Sequence, residues 1–263
     1  MLRPRIIPCL LVHKGGLVKT VEFAKPKYVG DPINAVRIFN EKEADELMVL
    51  DIDATVNGAE PDYKMISHLA AECRMPLCYG GGVSSPDQAK RIVALGVEKV
   101  ALSSAAIENP DLVTRTADEV GRQSVVVVLD VARKRGPFAK GHELRTRNGT
   151  KTHKHNPFDV ALQMQESGAG ELVINSIDRD GRMQGYDLGL AGTMRESLGI
   201  PMTCLGGAGS LADIESLFER CGVVGAAAGS LFVFKGSYRA VLINYPSAAL
   251  KDSICTSTSE SLK

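Results

Sequence analysis

Three unlike features of this sequence recur at one spacing of about 126 residues, and that recurrence constrains the fold more than anything else in the chain. Gly80-Gly81-Gly82 returns as Gly206-Gly207-Ala208-Gly209, Asp51 as Asp178, and Ser104 as Ser230. A single coincidence would carry little weight, but three in the same order describe two similar halves. Each feature also follows a short apolar run. Leu47-Met48-Val49-Leu50 ends in Asp51-Ile52-Asp53, and Leu172-Val173-Ile174 opens into Ser176, Asp178, Arg179, Asp180 and Gly181.

Runs of strand length occur eight times: 6–12, 47–50, 76–79, 97–102, 125–129, 172–174, 201–205 and 223–228. Their near-continuous apolarity suits strands covered on both faces. Helical patterns separate them, over 31–42, 61–73, 86–95, 109–120, 156–167, 187–198, 212–220 and 237–250. Several begin with an Asp or Asn and a proline in the first turn, as at Asp31-Pro32 and Asn109-Pro110. Eight βα units in about 250 residues are the arithmetic of an α/β (β/α)8 TIM barrel, here built from two similar half-barrels. A doubly wound open sheet would carry a GxGxxG turn after its first strand; a lysine-rich loop, 13–30, stands there instead. The expectation is a single barrel over 1–250 with a small, polar, disordered tail at 251–263. The basic stretch 131–155 reads as a long rim loop, with a hairpin turn at Asn148-Gly149.

Equal numbers of basic and acidic residues, 31 each, give no reason to expect nucleic acid or an anionic membrane. The N-terminal apolar run is too short for a signal peptide, and no stretch reaches membrane-span length. Six scattered cysteines without a CxxC pair imply neither zinc nor disulfides, and suit a cytoplasmic protein with reduced thiols. The histidines show no metal-ligand spacing with the carboxylates, and no cofactor is implied.

Each half offers a glycine turn after its third strand and a small polar element after its fourth. Gly81 and Gly82 with Ser103 and Ser104 form one set; Gly206, Gly207 and Gly209 with Gly229 and Ser230 form the other. Such turns let backbone N–H groups approach an oxyanion, and barrels place phosphates at this position. Two sets predict an elongated, phosphorylated small-molecule substrate with an anion at each end. Taken singly, such glycines also make ordinary tight turns. The acid–base candidates are the strand-end carboxylates Asp51, Asp130 and Asp178, with Asp180 beside them, although any one of them could be a helix cap or loop ion pair.

RIIPCL, LVKT, GDP at 30–32, DELMVLDIDA, YGGGV, EKVALSS, SIDRDGRMQGYD, LGGAGS and AAAGSLF together resemble the cyclase subunit of imidazole glycerol phosphate synthase. The resemblance spans nearly the whole chain. It implies a substrate-binding role for Lys19 and use of ammonia from a glutaminase partner at the N-terminal barrel face. It also implies an ammonia gate at Arg5, Glu46, Lys99 and Glu171. Read without the resemblance, these four are lone charges at the starts of strands, where a solvated salt-bridge network is the plain alternative.

One position departs from the cyclase pattern. Where the resemblance implies an aspartate at the end of the first strand, this chain has Leu11, so Asp130 lacks its acid–base counterpart. Ser103-Ser104 also stands where cyclases more often have Asn-Thr. Leu11, LVKTVEFAKPKYVGDPINA and CYGGGV look more like a paralogous branch found with bacterial surface-polysaccharide genes. There, a glutaminase and a sugar amidotransferase convert an acetamido group of a nucleotide sugar to an acetamidino group. The alternatives are a true cyclase of histidine biosynthesis and a non-catalytic scaffold that activates a glutaminase.

Overall fold

A computed structural model describes residues 3–136, 139–236 and 238–261. Eight parallel strands close into a barrel: β1 (Arg5–His13), β2 (Leu47–Asp51), β3 (Leu77–Gly80), β4 (Lys99–Leu102), β5 (Val125–Arg133), β6 (Glu171–Ser176), β7 (Met202–Leu205) and β8 (Gly225–Ala228). Each pairs with the next in sequence, and β1 pairs with β8 from Arg5↔Gly225 to Pro8↔Ala228, which seals the ring.

Among the described residues, eight helices of nine or more residues pack outside: α1 (Pro32–Glu41), α2 (Tyr63–Glu72), α3 (Pro86–Ala94), α4 (Asp111–Val120), α5 (Pro157–Glu166), α6 (Leu188–Ser197), α7 (Leu211–Cys221) and α8 (Ala248–Ser261). Their starts follow local chemistry. Asp31, Asp62, Ser85, Asn156 and Asp187 each accept a first-turn N–H, and Ser210 with Asp213 forms a reciprocal capping box. The first seven run within about two residues of their sequence expectation.

Alternation along the strands sorts side chains into two cores. One face packs against the helices, around Ile6, Leu10, Phe39, Leu47, Phe218 and their neighbours. The other fills the barrel axis, where Ile7, Cys9, Met48, Cys78, Val126 and Val173 are among the packed residues and Leu11 and Leu50 form the upper, partly buried edge. The same inward stripe carries charge at the strand starts and polar groups at the strand ends. The axis is therefore apolar only in its middle.

One of the two long segments at the mouth differs from the sequence reading. The stretch 13–30 is not a loop but an antiparallel hairpin (Gly16–Val21 with Ala24–Gly30) that continues β1. The stretch after β5 forms the matching hairpin (His142–Thr146 with Lys151–His153), as the Asn148-Gly149 turn implied. Each half-barrel thus extends its first strand into a ribbon over the mouth.

The expected last helix at 237–250 and disordered tail from 251 are both corrected. Ser237 itself lies outside the described residues, as do residues 262 and 263. Phe234–Lys235 and Ala240–Val241 form a short ribbon, and α8 begins only at Ala248. The small, polar composition hid three anchors at helical spacing: Lys251, Ile254 and Cys255 are all buried. Lys251 pairs with Asp45 at 2.8 Å and donates to the Glu43 carbonyl, while the nearby Tyr245 hydroxyl donates to the Ile6 carbonyl. These bonds fasten α8 beneath β1 and the start of β2. Among the described residues no helix is long and apolar enough to cross a membrane.

Candidate active site at the barrel mouth

The strand ends enclose two adjoining cavities, one on each half-barrel. The first, about 120 Å³, is lined by Gly80, Gly81 and Gly82 after β3, by Ser103 and Ser104 after β4, and by Asp51 and Asp130. The second, about 40 Å³, is lined by Gly206 and Gly207 after β7, by Gly229 and Ser230 after β8, and by Lys19, Asp180 and Gly181. Leu11, Phe23 and Asn175 line both. The internal repeat therefore appears as two cradles facing one shared centre.

The glycines of the cradles are required by close packing. At Gly81 a Cβ would lie 2.6 Å from the Asp51 carbonyl oxygen, and at Gly207 one would lie 2.2 Å from that of Gly185. Both also have positive φ, 131° and 113°. Gly209 belongs to this packing rather than to the cavity lining: its N–H donates to Asp213 at 2.8 Å.

Asp130 lies at the shared centre. Burial pushes its carboxyl up to about 7, with Asp180 adding to the rise and a hydrogen bond from Asn175 opposing it. That bond runs from Asn175 Nδ2 to Asp130 Oδ1 at 2.9 Å, while the buried Asn175 Oδ1 has no partner. A carboxyl poised near neutrality can both give and take a proton. Facing it, Leu11, Leu50, Ala101 and Val128 make an apolar floor.

The other expected site residues are distributed unevenly. Asp51 reaches the first cavity but also accepts N–H bonds from Asp53 at 2.8 Å and Ala54 at 3.2 Å, capping a turn. Asp178 lines neither cradle; its carboxylate accepts the Arg133 N–H at 2.6 Å, beyond the mouth. Lys19 is buried at the wall of the second cavity, where its amine donates to the Cys9 carbonyl at 2.6 Å. Burial lowers its pKa, opposed by the charges of Cys9 and Asp180. A Cβ on Gly229 would lie 2.5 Å from that amine.

Asp180 clamps the first hairpin. It accepts the Thr20 hydroxyl at 2.7 Å and the Phe23 N–H at 3.1 Å, and its carbonyl accepts the Glu22 N–H. Asp180→Ala is expected to free the Thr20 hydroxyl and the Phe23 N–H while leaving the backbone bond from Glu22, with amide exchange at Phe23 rising on the order of ten- to a hundred-fold. Hydrogen exchange read by mass spectrometry checks this, and an unaltered hairpin with the substitution in place would reject the clamp.

At the opposite end of the axis, Arg5, Glu46, Lys99 and Glu171 form a closed ring of alternating charge. Arg5 bonds to Glu46 and lies 2.7 Å from Glu171, while Lys99 lies 2.8 Å and 2.9 Å from the same two carboxylates. Burial alone would raise the Glu171 pKa, but Lys99 and Arg5 outweigh it and hold the group at about 2.

Sequence reasoning missed Asn175, although it is the single polar residue between Leu172-Val173-Ile174 and the strand end. It also missed Phe23, since nothing in a lysine-rich stretch announces a hairpin tip aimed at the cavities.

Comparison with known proteins agrees with this architecture. The family model described as histidine biosynthesis protein matches residues 5–239. A Vibrio vulnificus protein, provisionally named imidazole glycerol phosphate synthase subunit hisF3, is 56% identical over 95% of this chain and 96% of its own length. A Leptospira interrogans protein, provisionally named subunit HisF of the same synthase, is 54% identical over 97% of this chain and 99% of its own. The Lactococcus lactis strain IL1403 subunit HisF is 38% identical over 88% of this chain and 89% of its own.

Proposed function

The chain belongs to the histidine biosynthesis protein family and is a HisF-like synthase subunit; we propose that it uses ammonia from a partner glutaminase for amidination of a nucleotide-sugar acetamido group, a C–N bond forming at the acetamido carbon as its C–O bond breaks and the oxygen leaves as water. The setting would be O-antigen or other surface-glycan biosynthesis, with a sugar amidotransferase as a further partner.

Leu11 carries this reading. It stands at the mouth across the shared centre from Asp130, where it can neither move a proton nor accept a hydrogen bond. Ring closure to an imidazole by a pair of aspartates is thereby disfavoured. The same side chain completes an apolar floor with Leu50, Ala101 and Val128. An acetamido methyl fits such a floor, while Asp130 and Asn175 face its polar edge. In this scheme the glycine cradles hold phosphoryl oxygens, with Lys19 supplying charge to the second. The glutaminase docks on the face bearing the charged ring, and neutral ammonia travels along the apolar middle of the axis once that ring opens.

The test is reconstitution. Amidination of the nucleotide sugar with glutamine as nitrogen source is expected only when this chain, the glutaminase and the amidotransferase are all present. Product formed from glutamine by the amidotransferase alone would reject the proposal.

Leu11→Asp supplies a second check. With ammonium and the ribulosyl nucleotide that cyclases use, the unmodified chain is expected to stay silent, and the variant to gain at least about ten-fold in imidazole formation. Turnover by the unmodified chain would instead make it a cyclase.

A further inference from the structure

Outboard of both cradles lies a third cavity, about 400 Å³, between the two hairpins. Its walls carry four cationic side chains, Lys25, Arg135, Arg145 and Arg182, and one carboxylate, Glu22. Arg182 is held by Glu22 at 2.6 Å and Arg145 by Glu143 at 2.6 Å. Arg135 is exposed and only 4.0 Å from Asp178, which already accepts the Arg133 N–H. Among the described residues, the exposed side chain of Lys25 makes no hydrogen bond or ion pair. Against these four cations stand Glu22, Glu143 and Asp178, so the cavity keeps a net positive charge, with Arg135 held only loosely at 4.0 Å.

The placement is built rather than incidental. Arg145 is the cross-strand partner of Asp130, so the cavity adjoins the shared centre. Phe23 lines all three cavities and forms the wall between them. Glu22, Phe23 and Lys25 have φ of 51°, 61° and 52°, a conformation that side-chain-bearing residues rarely adopt. Glu22 and Phe23 are the central residues of the tight hairpin turn between Val21 and Ala24, which calls for positive φ, and the turn presents Glu22, Phe23 and Lys25 to one cavity.

We propose that this cavity is a third anion subsite, taking a diphosphate group held between Lys25 and Arg135 with Arg145 and Arg182 behind them. Its volume exceeds that of either glycine cradle, which suits two linked phosphoryl groups rather than one. The diphosphate could be free or the bridge of a larger activated compound; the chemistry recognised is the same. The inference goes beyond the reading above, because binding here requires neither a glutaminase nor turnover.

Calorimetric titration with inorganic pyrophosphate and with uridine diphosphate tests it, on the unmodified chain and on Lys25→Ala/Arg135→Ala. Both ligands are expected to bind, with affinity falling as salt rises, and the double substitution is expected to weaken them about ten-fold. Tighter binding of uridine diphosphate than of pyrophosphate would assign the group to a nucleotide; equal or weaker binding would assign it to free diphosphate. Undiminished affinity in the double variant would place the anion in a glycine cradle and overturn the proposal, as would no binding at all. Both side chains are exposed, and Lys25→Gln/Arg135→Gln, with a matching melting temperature, guards against a folding defect.

Discussion

Asp130→Asn is expected to cut amidination by the reconstituted system about 10²- to 10⁴-fold while leaving the barrel folded. Asparagine keeps the shape of the side chain and removes only its proton chemistry. The stability change should carry the opposite sign to the activity change. Burial raises the Asp130 carboxyl from its ordinary 3.8 to about 7, so the folded protein holds a proton that the unfolded chain has lost. The resulting penalty is absent below about pH 3.8, grows as pH rises toward 7, and is constant above. The asparagine variant should therefore melt no lower than the unmodified protein at pH 8. The rate of the unmodified chain should change with an apparent pKa near 7, and Asn175→Leu should move that pKa upward, because the hydrogen bond favouring the ionised form is gone. Steady-state rates from pH 5.5 to 9 read both effects. An Asp130→Asn chain as active as its parent would leave only the scaffold reading standing.

Glu171→Leu is expected to be the most destabilising single change at the far end of the axis. Glu171 is 5% exposed and neutralises both Arg5 and Lys99, so its loss leaves two partly buried cations sharing Glu46. Breaking a buried pair from one side typically costs 3–5 kcal/mol, which for a domain of this size corresponds to a fall on the order of 10 °C in Tm. The pH dependence also has a definite sign. A carboxylate held at about 2 stabilises the fold fully above its ordinary value of 4.5, and that contribution is lost as pH falls from there toward 2. Thermal melts between pH 7 and 3 should show the variant and the parent converging on acidification. A constant gap across that range would mean that packing, not charge, explains the loss.

The barrel was legible because its signals are local and repeated. Apolar runs of three to seven residues, caps such as Asp31-Pro32, and one recurring spacing together leave few other folds open. The cradles were legible for the same reason, since a glycine cluster after a strand is a sequence-level event. What could not be read depends on contacts between distant segments. Asp180 looks like any strand-end carboxylate, yet it holds a hairpin belonging to residues 20–23. Asp178, two positions earlier, turns instead toward Arg133. The anchors of α8 were masked by the serines and threonines around them, because burial of Lys251 depends on Asp45 and Glu43, far away in the chain.

The position of Lys19 also orders the assembly of the molecule. The first cradle draws on β2, β3 and β4, neighbours in sequence, together with Leu11, Asp130 and Asn175 from β1, β5 and β6. The second requires Lys19, near the start of the chain, to meet Gly229, near its end. Contacts between segments so far apart close late, because the intervening chain must be ordered first. The two cradles, alike in the finished barrel, thus differ in when they come into being: one can take shape once β1 to β6 have assembled, whereas the other exists only after β8 has docked on β1.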